Sequence, residues 1–459
     1  MKYRFKDNFW FGCAESAAQI EGFSAENSKA PSTWDHAFAT QRHRFFHQHG
    51  PDDSRGFWQN YQADIKLMQK VGINSYRTSV SWARLMPDGY TINEASAAVY
   101  RDMLVHLKEA GIEPVITLMH FDMPLIMQQK GGWLSEEVVD AFAGYARQCF
   151  ALFGDLVNNW ITFNEPIVPI EGGYLYDFHY PFQRNFANAA QAAFNTQLAH
   201  SKVVNYFHDR NCAGRIGIVL NLTPSYPRST HPADVHAATI ADLFFNKSFL
   251  EPALNGRYPQ ALVDLLRQYG ELPDVTPQNL DIIARSRVDM LGVNYYQPRR
   301  VQAKQTAISP SSPFMPDWFF DSYEMPGRTM NTSRGWEIHP QGIYDILTDL
   351  RLNYGNIPVF ISENGMGVEN EERWMENGEV NDQYRIDFMR QHLACIHQAV
   401  SEGSNCFGYH CWTFIDNWSW LNAYKNRYGL FRLDLSTQRR LPKASAKWYG
   451  ELIKNNGFN

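Results

Sequence analysis

The stretch Val359-Phe360-Ile361-Ser362-Glu363-Asn364-Gly365 decides how this chain folds. A β-branched and aromatic run delivers a carboxylate and then an Asn-Gly pair, which reads as a strand followed by a turn. A buried strand that ends this way holds its acid at the rim of a sheet. Trp160-Ile161-Thr162-Phe163-Asn164-Glu165-Pro166 has the same grammar, and Pro166 stops the strand because it has no N–H for a ladder. Taken singly, each acid reads as an ordinary first-turn carboxylate; matched positions on two strands weigh against coincidence. The two acids lie about 200 positions apart, too far for a local motif. They meet only if the chain closes into a barrel whose strand ends share one face.

Outward from these strands the same plan repeats. Ile65, Leu67, Met68 and Val71 form a helical apolar face, Gly72 ends it, and Ile73–Val80 follows as a strand. Met103, Leu104, Leu107 and Ala110, then Gly111, then Val115–Met119 repeat it. Glycine just past a helix takes the left-handed conformation without a Cβ penalty. Ser135 is expected to cap a helix carrying Val138, Phe142, Tyr145, Cys149 and Phe153 on one face. Further strands are expected near Phe9–Ala14 and at Arg215–Leu220, Asp289–Tyr296 and Cys406–Phe414, and Ala307–Thr332 reads as a long loop. Eight strands with helices between them, and no Pro/Gly/Ser-rich linker, predict an α/β chain. It is one (β/α)8 TIM barrel with elaborated βα loops, a single domain over 1–459.

Composition narrows the function. The net charge is −6 with a pI near 6.2 and no Lys/Arg block, so no nucleic acid and no anionic membrane surface is expected as a partner. No stretch approaches the roughly 18 apolar residues of a membrane span. The start, Met1-Lys2-Tyr3-Arg4-Phe5-Lys6-Asp7, lacks the apolar core of a signal peptide, and the six scattered cysteines read as small core residues of a reducing, cytoplasmic setting. Their spacing suits no metal. The 14% of aromatic residues suits sugar stacking, but equally fills a large core. Nothing in the composition sets an oligomeric state.

Thr162-Phe163-Asn164-Glu165-Pro166 and Ile361-Ser362-Glu363-Asn364-Gly365 resemble the acid/base and nucleophile motifs of glycoside hydrolase family 1, and the resemblance extends over nearly the whole chain. It implies retaining hydrolysis of a β-glycosidic bond with Glu363 as nucleophile and Glu165 as acid/base, their carboxyl groups about 5–5.5 Å apart, and no metal or organic cofactor. Arg77 and Tyr296 are the family-matched groups that keep the nucleophile ionised. Gln19, His120, Asn164, Tyr296, Trp336 and Trp412 match sugar-binding positions, and 307–332 is expected to wall the aglycone pocket.

One segment departs from ordinary family members. Ser419 stands where a Glu binds the sugar 4- and 6-hydroxyls. A 6-phosphate would meet that Glu as a like charge, a repulsion on the order of 4 kcal/mol at about 4 Å and an effective dielectric of 20. The 6-phospho-β-glycosidase branch has this Ser, with a Lys seven positions later and a Tyr nine later. Ser419 and Tyr428 match, but position 426 is Asn426, and Lys425 lies one residue earlier. Either Lys425 reaches a phosphate, or Asn426 and Arg427 substitute, or the pocket takes unphosphorylated sugar. Trp420 resembles the phosphogalactosidases, which leaves gluco and galacto open. The expected substrate is a phosphorylated disaccharide or β-glucoside. The alternatives are a plain β-glucosidase or β-galactosidase, and a catalytically inactive sugar-binding barrel.

Overall fold

Eight parallel strands close on themselves in the computed structural model, which describes residues 2–22, 29–309 and 311–459. They are β1 (Trp10–Ala14), β2 (Ser75–Ser79), β3 (Glu113–Met119), β4 (Asn159–Asn164), β5 (Arg215–Asn221), β6 (Met290–Asn294), β7 (Val359–Asn364) and β8 (Cys406–Trp412). Each pairs with its sequence neighbours, and β8 returns to β1 with Trp412 opposite Ala14. Every residue of β2, β4, β6 and β7 is buried, as strands covered on both faces require. Val115, Ile161, Val219, Met290 and Phe360, one each from β3 to β7, form a separate apolar cluster that fills the barrel axis.

Helices alternate with the strands outside. Phe57–Val71 and Glu94–Glu109 precede β2 and β3, and Gly72 and Gly111 follow with φ of +91° and +73°. The second helix is capped by Asn93, whose side chain accepts from the Ser96 N–H at 3.1 Å. Ser135 occupies the cap position of the helix Glu136–Phe153, but its side chain accepts no hydrogen bond there; Glu136 and Glu137 in the first turn supply the helix with negative charge instead.

Three expectations are corrected. The segment 307–332 is not one loop: Phe320–Ser322 pairs antiparallel with Arg299–Ala303, and Met330–Asn331 pairs with Trp336–Glu337. Buried Phe314 and Phe320 anchor it; the Ser-Pro composition hid two short edge strands. Strands six and eight are shorter than expected, ending at Asn294 and Trp412. Asn364-Gly365 does not form the expected turn: a Cβ at Gly365 would lie 2.0 Å from the Trp412 carbonyl oxygen, so the glycine serves the close approach of the β7 and β8 ends.

All six cysteines are unpaired. Among the described residues, no helix is long and apolar enough to cross a membrane.

Candidate active site

The C-terminal ends of the strands carry the polar residues, as the fold requires of a working face. Arg77 lies within β2, Thr117 within β3, Asn164 and Glu165 at the end of β4, Asn294 at the end of β6 and Glu363 within β7. Register slips occur at Ile161/Asn164 of β4 and Ile361/Glu363 of β7, so both acid-bearing strands are irregular where they reach the site. Such slips re-aim side chains.

Glu363 is buried and held at both oxygens. Arg77 Nη1 donates to Oε1 at 2.6 Å and the Tyr296 hydroxyl to Oε2 at 2.7 Å. Arg77 is itself fixed, donating from Nε to Thr117 Oγ1 at 3.1 Å and from Nη2 to Asn164 Oδ1. Glu165, 8% exposed, has no cation within ion-pair distance among the described residues. Asn294 Nδ2 donates to its Oε1 at 2.8 Å, and its own N–H donates to the Val219 carbonyl at 2.8 Å. Its backbone is left-handed, with φ +42°, which a non-glycine residue holds only under strain.

Burial first, and the Glu363 charge second, push the Glu165 carboxyl up to about 8. Burial also raises Glu363, but Arg77 and the Tyr296 hydroxyl pull it back. The guanidinium therefore keeps Glu363 ionised while the pair's remaining proton stays on Glu165.

His120 lies just past β3. Asn164 Oδ1 already accepts from Arg77 and Asn294, so its Nδ2 faces His120 Nε2 at 3.1 Å as a donor. His120 is thus protonated at Nδ1, which has no protein partner among the described residues. Burial, then the Arg77 charge, hold its pKa well down, so the ring is neutral.

Around this floor stand aromatic walls. Trp412, Ala14 and Tyr428 pack together with Tyr296 against them, and Trp336 lies 5.3 Å from Tyr296. Trp420 faces His120 at 6.3 Å and is backed by Trp34 at 4.8 Å. Gln19 is nearly fully occupied by the protein: Ser16 Oγ donates to its Oε1 at 2.7 Å, and its Nε2 donates to the Trp418 carbonyl at 2.9 Å.

The loop after β8 is shaped by buried Asp416. Its carboxylate accepts from the Gly429 and Leu433 N–H groups at 2.9 and 3.3 Å and from Lys443 at 3.0 Å. The Ser419 N–H donates to the Ala423 carbonyl at 2.8 Å, while its hydroxyl meets no protein partner among the described residues. Tyr428 is buried with its ring against Gly367, where a Cβ would lie 2.3 Å from it. Lys425 is turned to Glu369, Nζ to Oε1 3.2 Å, and Asn426 is buried with Nδ2 donating to the Ser333 carbonyl at 3.2 Å.

Two residues of the site were given no role from the sequence, although Asn294 lies in the family-like Asn294-Tyr295-Tyr296 segment. Asn294 links Glu165 to Asn164 and is set by the Ser362 hydroxyl, which donates to its Oδ1; its position at the end of a strand was the available signal. Thr117, mid-strand, carries none.

Two buried acids, one beside a cation and one protonated, in an aromatic-walled site, are the groups needed to break a glycosidic bond through a covalent intermediate. Comparison with known proteins agrees. Over 460 residues, covering 100% of this chain and 99% of the relative, the chain is 53% identical to the 6-phospho-beta-glucosidase GmuD of Bacillus subtilis (strain 168). It is 33% identical to a 6-phospho-beta-galactosidase of Clostridium acetobutylicum over 97% of this chain and 96% of the relative. The solved family 1 b-glucosidase from Thermotoga maritima superposes with a TM-score of 0.92 at 34% identity, each chain covered fully. Residues 1–458 match the description Glycosyl hydrolase family 1, and the chain belongs to that family of β-glycosidases.

Proposed function

We propose that this enzyme hydrolyses 6-phosphorylated β-glucosides with retention at the anomeric carbon. In the first step a Glu363 oxygen bonds to that carbon as the aglycone oxygen leaves with the Glu165 proton. In the second, the Glu165 carboxylate takes a proton from water, whose oxygen displaces Glu363 and restores both acids. Asn164 and the free Nδ1–H of His120 face the sugar as hydroxyl ligands, Trp336, Trp412 and Trp420 bound its pocket, and Gln19 has one amide hydrogen and one lone pair left for it.

Ser419 carries the phosphate reading. A neutral hydroxyl without a protein partner among the described residues stands where a carboxylate would repel a dianion, and the same loop carries buried Tyr428. The 53% identity to a protein named 6-phospho-beta-glucosidase supports it. Trp420, together with the galactosidase relative, favours a secondary activity on 6-phospho-β-galactosides. A substrate phosphorylated during import meets this enzyme in the cytoplasm.

The test is a set of matched nitrophenyl β-glycosides, gluco and galacto, with and without the 6-phosphate. Wild type is expected to prefer the 6-phosphoglucoside, and Ser419→Glu to lower its kcat/KM by about a thousandfold, the equivalent of about 4 kcal/mol. Wild-type preference for the unphosphorylated glycoside overturns the proposal.

A further inference from the structure

We infer that Arg334 is the cation that binds the substrate's 6-phosphate, flanked by the hydroxyls of Ser419 and Tyr428. The inference rests on the phosphoglycoside reading above and replaces Lys425, the lysine nearest in sequence to the expected position.

A dianion in a partly buried pocket needs at least one positive charge. Most basic side chains near this pocket are committed. Arg77 serves Glu363; Arg427 lies 3.7 Å from Asp416; Arg385 pairs with Glu371 and Asp382; Lys443 pairs with Glu371 and Asp416. Lys425 is held by Glu369 at 3.2 Å, with its ammonium 5.9 Å from the Phe46 ring. Arg334 differs from all of them. No carboxylate lies within ion-pair distance of it among the described residues, and its buried Nε has no hydrogen-bond partner.

Its guanidinium is also placed and stiffened for the task. It stacks 4.1 Å from the Trp336 ring, which packs in turn on Tyr296, the partner of Glu363. Arg334 lies beside the Tyr428 hydroxyl, where its charge opposes the rise that burial imposes on the phenol. Stacking fixes the plane of a fork that matches phosphate oxygens two at a time.

The tight turn that carries Arg334 is clamped from both neighbouring segments. Asn331 Nδ2 donates to the Gly367 carbonyl at 3.0 Å, the Glu369 N–H donates to Ser333 Oγ at 3.1 Å, and Asn426 Nδ2 donates to the Ser333 carbonyl. The charge has thus moved from position 426 to a residue adjoining the carbonyl that Asn426 now holds.

The experiment compares Arg334→Met, Arg334→Lys and Lys425→Ala. It reads the ratio of kcat/KM for nitrophenyl 6-phospho-β-glucoside to that for nitrophenyl β-glucoside, and calorimetric binding of glucose 6-phosphate against glucose. Arg334→Met is expected to lower the ratio about 30-fold, equivalent to about 2 kcal/mol, and to weaken glucose 6-phosphate similarly. Arg334→Lys is expected to recover part of both, and Lys425→Ala to change the ratio less than about threefold. Retention of the wild-type ratio in Arg334→Met, or its loss in Lys425→Ala, overturns the assignment to Arg334 and leaves the phosphoglycoside reading standing. A wild type with no preference for the phosphate overturns that reading, and the role of Arg334 with it.

Discussion

Glu165 and Glu363 share one polar shell and differ in their neighbours: the Arg77 guanidinium and the Tyr296 hydroxyl hold Glu363, while the Asn294 amide holds Glu165. Glu363→Ala is expected to lose nearly all turnover; added azide then attacks from the vacated face and gives the α-glycosyl azide, a product nuclear magnetic resonance distinguishes. Near-normal turnover would exclude Glu363 as nucleophile. Glu165 supplies its proton only below its raised pKa, so kcat/KM should fall as pH rises past about 8. Glu165→Gln should remove that limb and slow substrates with poor leaving groups far more than activated aryl ones; equal losses across leaving groups would mean a binding role. The same shift affects stability. An unfolded Glu titrates near 4.3, so between there and about 8 the folded state binds the extra proton and loses stability as pH rises. Glu165→Gln should melt with wild type near pH 4 and be roughly 2–5 kcal/mol more stable at pH 8, measured by denaturation at both values. A constant offset across that range would contradict the raised pKa.

At the scale of the element, the loop after β8 depends on one buried carboxylate. Although burial opposes it, Lys443 and Arg427 hold the Asp416 pKa below the usual carboxylate range. Its contribution is therefore full above the unfolded carboxylate pKa and fades as pH drops through the folded one. Asp416→Asn should cost about 3 kcal/mol at neutral pH by denaturant titration, with the gap to wild type closing in acid. It should also raise KM for phosphorylated substrate, because Ser419 and Tyr428 lie on the span that Asp416 ties to Gly429 and Leu433. Unchanged KM would mean that the aromatic contacts alone shape the loop.

Over the whole molecule, stability and chemistry occupy opposite ends of the barrel. Tyr3–Arg4 pairs with Gly457–Phe458 ahead of the N-terminal end of β1, joining the two chain ends, and the Phe458 ring stacks on Tyr3 at 4.8 Å. Phe458→Ala should destabilise by about 3 kcal/mol while kcat changes less than about twofold. Thermal melting and steady-state kinetics check this together, and a large fall in kcat would show the two ends to be coupled.

The barrel and its acid-bearing strand ends were legible in the sequence because their code is local: apolar runs, helix-ending glycines, and a strand that stops at a carboxylate. The replacement of a carboxylate by Ser419 was legible for the same reason, as a change of charge at one position. Partner choice was not. That Lys425 turns to Glu369, that Gln19 donates to the Trp418 carbonyl, that Asn294 bridges Asn164 and Glu165, and that Arg334 has no carboxylate partner among the described residues all follow from segments far apart in the chain. Gly365 carries the same lesson, since its missing Cβ answers to a carbonyl on the next strand rather than to a turn. A hydrogen bond or ion pair forms only within about 3–4 Å, and barrel closure alone brings those groups that near.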